Sequence, residues 1–305
     1  MAENYQDLIA RGLEPSDVAR MVRTNELTRL RRGIYLRATD LTPEQRHREL
    51  IEATFPELSK DSVLGHVSAA VLHDLPVPLA SLVRVHFTRP RASGRISRYA
   101  HRHGAALSSE DTTEIHGLPV TRVERTVGDL SRFLPYPDAV AVVDAALRRR
   151  IPVATLEEQV GRGRRRPNND RFRRALAFGN GLAESPGESR SRVLMAQLNL
   201  PMPTLQREFC NARGVVEART DFDWEDYGTV GEFDGRAKYG RLLKRGDSLE
   251  RVILYEKQRE ELLRQHDRWM IRWSSRDLSD PGRFRGLILQ GLQSGRSRAG
   301  RSGRR

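Results

Sequence analysis

The chain is short of cysteine, lysine and long apolar runs. A lone cysteine, Cys210, among 305 residues excludes an internal disulfide framework and any paired-cysteine zinc site, and it fits a reducing compartment. No apolar run approaches the roughly twenty residues of a membrane span, and the N-terminal MAENYQDLIARG lacks the apolar centre of a signal peptide. The expectation is a cytoplasmic protein with no membrane partner. Lysine occurs only four times among the 53 basic residues, so the formal net charge of +13 against 40 carboxylates is carried almost entirely by arginine. Such an excess favours a polyanionic partner, nucleic acid before an anionic membrane surface.

The length suits two or three domains, and the pattern predicts an α+β or α/β multidomain chain. Residues 1–40 read as helix, helix and hairpin: Tyr5, Leu8 and Ile9 are helically spaced, Val18, Met21 and Val22 share a second helical face, and Leu27 to Leu36 reads as a basic β-ribbon. That order is the order of a winged helix-turn-helix, in which Arg29, Arg31 and Arg32 would reach DNA phosphates. Residues 41–150 read as a mixed α/β middle domain, with a strand at Val83, Val85 and Phe87, strand and turn over 115–120, and helices from Thr121 and Asp138. This region holds His47, His66, His73, His86, His101, His103 and His116. Only His101 and His103 are close in sequence, and no acidic or thiol partner sits at a ligand-like interval, so a metal site among them is not expected. Residues 151–177, with Arg162 and Arg164 to Arg166, read as a basic connector that tracks phosphates, and 293–305 as a disordered basic tail that adds salt-sensitive affinity.

Residues 178–292 carry the strongest chemical signal. Ser185-Pro186-Gly187-Glu188 has the spacing of a helix cap with proline in the first turn. Three strands follow, over 205–210, 215–224 and 229–235, joined by hairpin-length turns. A hairpin turning at 225–228 pairs residues whose numbers sum to about 453, which sets Asp221 opposite Glu232. Glu232 and Asp234 share a strand face, so Asp221, Glu232 and Asp234 can converge on one hard cation such as Mg²⁺, with Asp223 competing for the place of Asp221. A metal there would activate water and neutralise a scissile phosphate, with a nearby lysine supplying a further positive charge.

Several stretches resemble known families. LTRLRRGIYL, HVSAAVLHDL and GLPVTRVERTVGDL resemble, in order, AbiEi-type antitoxins of type IV toxin-antitoxin systems. ESPGES, RTDFDW, GEFDGRAK, YEKQRE and RWMIRW, over roughly 184 to 278, resemble the very-short-patch-repair endonuclease-like branch of the PD-(D/E)xK nucleases, a restriction-endonuclease-like fold. The second resemblance implies roles for Glu188 as the helix glutamate, Asp221 as the metal aspartate, Glu232 and Asp234 as the Glu-x-Asp pair, Lys238 where relatives carry histidine, and Lys257 and Arg259 on a basic helix behind the site. Asp234 stands where the family's usual lysine would be. Two functions follow: a DNA-binding regulator of the antitoxin kind, with a cognate toxin as partner, or a Mg²⁺-dependent endonuclease targeted by its N-terminal domains.

Overall fold

A computed structural model of the chain describes residues 2–37, 41–211, 213–235 and 261–302. It divides into two compact units, residues 1–134 with 151–174, and residues 135–150 with 175–305. The chain therefore visits the second unit once, through a single helix, before returning to complete the first.

The first unit opens with β1 (Ala2–Asn4), α1 (Tyr5–Ala10), α2 (Pro15–Arg23), β2 (Leu27–Arg31) and β3 (Ile34–Arg37), the strands ordered β1-β3-β2. Each helix start has a local cause. Asn4 Oδ1 accepts the Gln6 N–H, and Glu14 and Asp17 form a reciprocal box ahead of Pro15. Leu8, Val18, Met21 and Leu27 close a small core beneath them. Two short helices followed by a basic hairpin are compatible with a winged helix.

A second layer follows: α3 (Pro43–Thr54), β4 (Val63–Leu64), α4 (His66–Leu72), β5 (Val85–Arg89), β6 (Arg95–Ile96), β7 (Ala100–Gly104), β8 (Thr112–Ile115), β9 (Leu118–Thr121) and α5 (Val123–Phe133). Its six strands are ordered β6-β7-β5-β4-β9-β8. The β8–β9 turn has positive φ at both His116 and Gly117, the conformation that two-residue hairpins demand. Leu50, Ile51, Leu64, Ala69, Val85 and Val120 form the core.

Residues 151–177, read as a basic connector, are largely helical. They form α7 (Val153–Arg162) and α8 (Asn169–Phe178), and the chain passes from the first unit to the second within α8. Arg162 reaches Asp111 at 2.9 Å and Arg166 reaches Asp129 at 2.9 Å. Both carboxylates also bind Arg125, and Asp129 binds Arg132 at 2.8 Å. Burial alone would raise the Asp129 carboxyl, but the charges of His66, Arg125, Arg132 and Arg166 outweigh it and hold it at about 2. These arginines serve two buried aspartates, which explains part of the basic excess without any ligand.

The second unit contains α6 (Tyr136–Arg148), α9 (Pro186–Gln197), β10 (Thr204–Cys210), β11 (Val216–Trp224), β12 (Thr229–Asp234), β13 (Trp269–Ser274), α10 (Ser275–Leu278) and α11 (Pro281–Ser302). Strands β10, β11 and β12 are antiparallel, and β13 lies parallel to β12. Helix α6 packs with α9 here rather than with the middle region that precedes it in sequence, because Asp144 accepts from Asn180 N–H and Ser189 Oγ–H at 2.7 Å and from Arg192 Nη1 at 2.9 Å. Phe222, Trp224, Phe233, Trp273, Phe284 and Ile288 build the core. Gly187 and Gly231 admit the rings of Phe233 and Trp273, which a Cβ would meet at 1.9 and 2.6 Å. The tail expected to be disordered is helical through Ser302: Leu292 anchors α11 in the core, and the Arg296 guanidinium lies 4.8 Å from the Tyr227 ring centre.

Candidate functional site

The β2–β3 hairpin separates Arg29, Arg31 and Arg32. Arg29 and Arg32 are exposed, with Arg29 Nε donating to the Arg31 carbonyl at 3.3 Å. Arg31 turns inward instead. Its Nε and Nη2 donate to the Ala53 carbonyl at 3.0 and 2.6 Å, and Nη2 also donates to Glu57 at 2.7 Å. The cause is an irregularity between Arg29 and Arg31, which pair with Tyr35 and Ile34 respectively. Arg31 therefore holds the hairpin to α3, whereas the sequence reading places it on phosphate with Arg29 and Arg32. Elsewhere in this segment Arg20 faces Asp17 and Glu26, and Arg11 and Arg37 share Glu3.

In the second unit the strand register follows the hairpin arithmetic: Phe222 pairs with Gly231, Asp223 with Val230 and Trp224 with Thr229. Asp221 comes next, and its Oδ2 accepts the Phe233 N–H at 3.0 Å. Glu232 is buried and lies 3.5 Å from Arg272 Nε, its register partner on β13. Asp234 is half-buried opposite Ser274. Glu188 is buried at the start of α9, where Oε1 accepts from Ser185 Oγ at 2.7 Å and Oε2 accepts from the Glu184 N–H at 2.8 Å and Gln206 Nε2 at 3.1 Å. Burial, and then the Asp221 charge, raise the Glu188 carboxyl. Asp223 is buried 3.6 Å from Arg268; burial raises its carboxyl and the Arg268 charge only partly counters that rise, so a cation already faces this rival of Asp221. Lys238, Lys257 and Arg259 lie outside the described residues.

As a place for Mg²⁺, Glu188 and Asp221 offer two oxygen donors whose charges oppose each other, but both Glu188 oxygens and Asp221 Oδ2 already accept hydrogen bonds. Glu232 fits only if it leaves Arg272. Two participants went unread in the sequence, Gln206 and Arg272. The second had a signal, since Trp-Met-Ile-Arg-Trp alternates and puts Arg272 on the face opposite buried Ile271 and Trp273.

Among the described residues, the group of three ligating side chains whose donor atoms lie within 4.8 Å of one another is not carboxylic but imidazole: His86, His101 and His103. The expectation that spacing rules out a histidine cluster is thus corrected. Strand β5 runs parallel to β7 with His86 opposite His101, a non-local pairing that sequence spacing cannot show.

Comparison with known proteins adds two findings. Residues 4–38, from β1 through the hairpin, match the family model described as "Transcriptional regulator, AbiEi antitoxin". Two uncharacterized proteins of Mycobacterium tuberculosis, from strains CDC 1551 and H37Rv, are each 34% identical over 121 residues, 39% of this chain and 44% of the relative. The chain thus spans less than half the length of the curated relatives it matches. No described helix is long and apolar enough to cross a membrane. The match over 4–38 supports a regulator or antitoxin kind of function.

Proposed function

We propose that the chain is a cytoplasmic DNA-binding regulator of the antitoxin kind that docks its hairpin on the duplex and works beside a cognate toxin. The observation that carries this reading is the hairpin itself: Arg29 and Arg32 are exposed on a short ribbon, within the segment matching the regulator family, while Arg31 braces that ribbon from behind. Phosphate contacts position such an element and base contacts specify its site. The test is fluorescence anisotropy with DNA from upstream of the protein's own coding region and with random duplex. Arg29→Ala with Arg32→Ala should weaken both complexes by at least tenfold at 100 mM salt and leave the melting temperature unchanged. Binding equal to wild type would overturn the reading. Co-purification with the product of an adjacent reading frame tests the toxin.

A second reading, a Mg²⁺-dependent endonuclease, draws support from the Glu188–Asp221 juxtaposition in the second unit. Nicking of supercoiled DNA in Mn²⁺ that is lost in Asp221→Asn would support it, and intact plasmid at micromolar protein would end it.

A further inference from the structure

The histidines of the first unit converge where no other function has been found for them. His101 and His103 alternate along β7 and share a face. Parallel pairing brings His86 beside them from β5. His86 Nδ1 lies 3.1 Å from His103 Nε2, and the His101 and His103 rings stack with centres 4.0 Å apart. Two nitrogens bound to one tetrahedral zinc at about 2.0–2.1 Å would stand about 3.3 Å apart, close to the observed spacing. A single hydrogen bond between His86 and His103 would also explain that pair, but it leaves His101 unaccounted for.

We propose that His86, His101 and His103 form a binding site for a late transition-metal ion of the Zn²⁺ class. The donor set decides the class: three imidazoles and no carboxylate suit zinc, nickel, cobalt or copper, and not magnesium or calcium. Imidazole binds metal in its neutral form, and burial keeps His86 and His103 neutral at physiological pH. The walls hold the rings in place. Phe133 sets its edge or face against His86, His101 and His103 at 5.5 to 5.8 Å between centres.

His66 is the second observation. It stacks on His103 at 3.5 Å between centres, the rings nearly parallel, and its backbone takes φ +48°, a left-handed conformation that strains a histidine. Its Nδ1 is buried and finds no partner among protein atoms. An orphan of this kind is itself costly and calls for an exchangeable group. Three protein ligands leave a tetrahedral ion one position for water, which supplies such a group beside the trio.

The experiment uses the full chain, stripped with chelator and dialysed, and then titrated with ZnCl₂ and CoCl₂. The expected result is one ion per chain at micromolar affinity or tighter, a rise in melting temperature on adding zinc, and visible cobalt bands of low-symmetry nitrogen coordination. His101→Ala, the least buried of the three, should weaken zinc binding at least tenfold, and His103→Asn likewise, with folding of each checked by circular dichroism. His116→Ala, on the exposed β8–β9 turn, should bind as wild type. Absence of a stoichiometric ion, or zinc affinity unchanged in a folded His101→Ala protein, would overturn the proposal. Excess Mg²⁺ serves as the contrast: if it competes with zinc, the bound ion sits on carboxylates elsewhere and the imidazole site is likewise rejected.

Discussion

Asp129 and His47 show how single buried groups set the acid limit of the first unit. Asp129 is 4% exposed and holds Arg125, Arg132 and Arg166. With its carboxyl at about 2 when folded and near 3.8 when unfolded, it contributes roughly 2 kcal/mol above the unfolded value. That contribution fades as pH falls from 4 to 2. Asp129→Ala leaves Arg132 and Arg166 without their anion while Arg125 keeps Asp111, and a loss of about 3–5 kcal/mol should appear in urea denaturation at pH 7. His47 acts earlier in the titration. Its Nδ1 lies 2.7 Å from the Leu82 carbonyl, so Nδ1 carries the proton and donates; Nε2 then accepts from Ser68 Oγ at 2.9 Å, and Ser68 in turn accepts the His86 N–H at 2.8 Å. This chain works only with a neutral ring. Burial pushes His47 down to about 4. A base whose folded value lies below its unfolded 6.5 binds its proton more readily in the unfolded chain, so stability is complete above pH 6.5 and falls between 6.5 and 4. A denaturation midpoint that drops over that window in wild type, and drops less in His47→Gln, is the expected outcome.

At the scale of elements, the hairpin of β2 and β3 makes the sharpest division between binding and stability. Arg31→Ala removes three hydrogen bonds to Ala53 and Glu57 and should lower stability by about 1–2 kcal/mol while changing DNA affinity little, the reverse of the expected behaviour of Arg29 and Arg32. Paired melting and binding measurements on the three single variants check this, and equal loss of affinity in all three would show that Arg31 also reaches the duplex. All three arginines read alike in the sequence, because alternation specifies a face only while the register is regular, and a slip between Arg29 and Arg31 is invisible to it. The β11–β12 hairpin is the opposite case. Its turn is short and its three paired positions all keep the sum of 453 read from the sequence, and just beyond them Asp221 accepts the Phe233 N–H. What spacing could not show was Arg272, which comes from β13 by parallel pairing, just as His86 meets His101 only through β5 and β7. Local pairings were legible, and pairings closed by a distant strand were not.

The whole molecule interleaves its two units along the chain, and that arrangement decides which fragments can fold. A cut at 150, the boundary that composition suggests, separates Asp111 and Asp129 from Arg162 and Arg166, and strips the first unit of Phe172, which is fully buried. The same cut takes Asp144 from the second unit and leaves Arg192, 8% exposed, without its carboxylate. Breaking a buried pair by removing one partner costs about 3–5 kcal/mol, against a total of about 5–15 kcal/mol for a typical domain. Fragment 151–305 loses such a pair, and fragment 1–150 loses two partly exposed arginines and the packed surface of Phe172, so each gives up part of that margin. Fragments 1–150 and 151–305 should therefore keep helix in the far ultraviolet while losing near-ultraviolet signal and a cooperative melt. Mixing the two should restore both signals, because the missing partners return in trans. Two separate cooperative transitions in the unmixed fragments would instead mean that α6 and α7 are dispensable to the units they complete. The salt dependence of DNA binding should follow the same accounting. Arg125, Arg132, Arg162, Arg166 and Arg192 are committed to internal carboxylates, so the slope of log K against log salt should reflect a handful of phosphates and stay far below what a net charge of +13 would imply. A slope near −10 would instead mean that about eleven cations reach phosphates, more than this accounting expects.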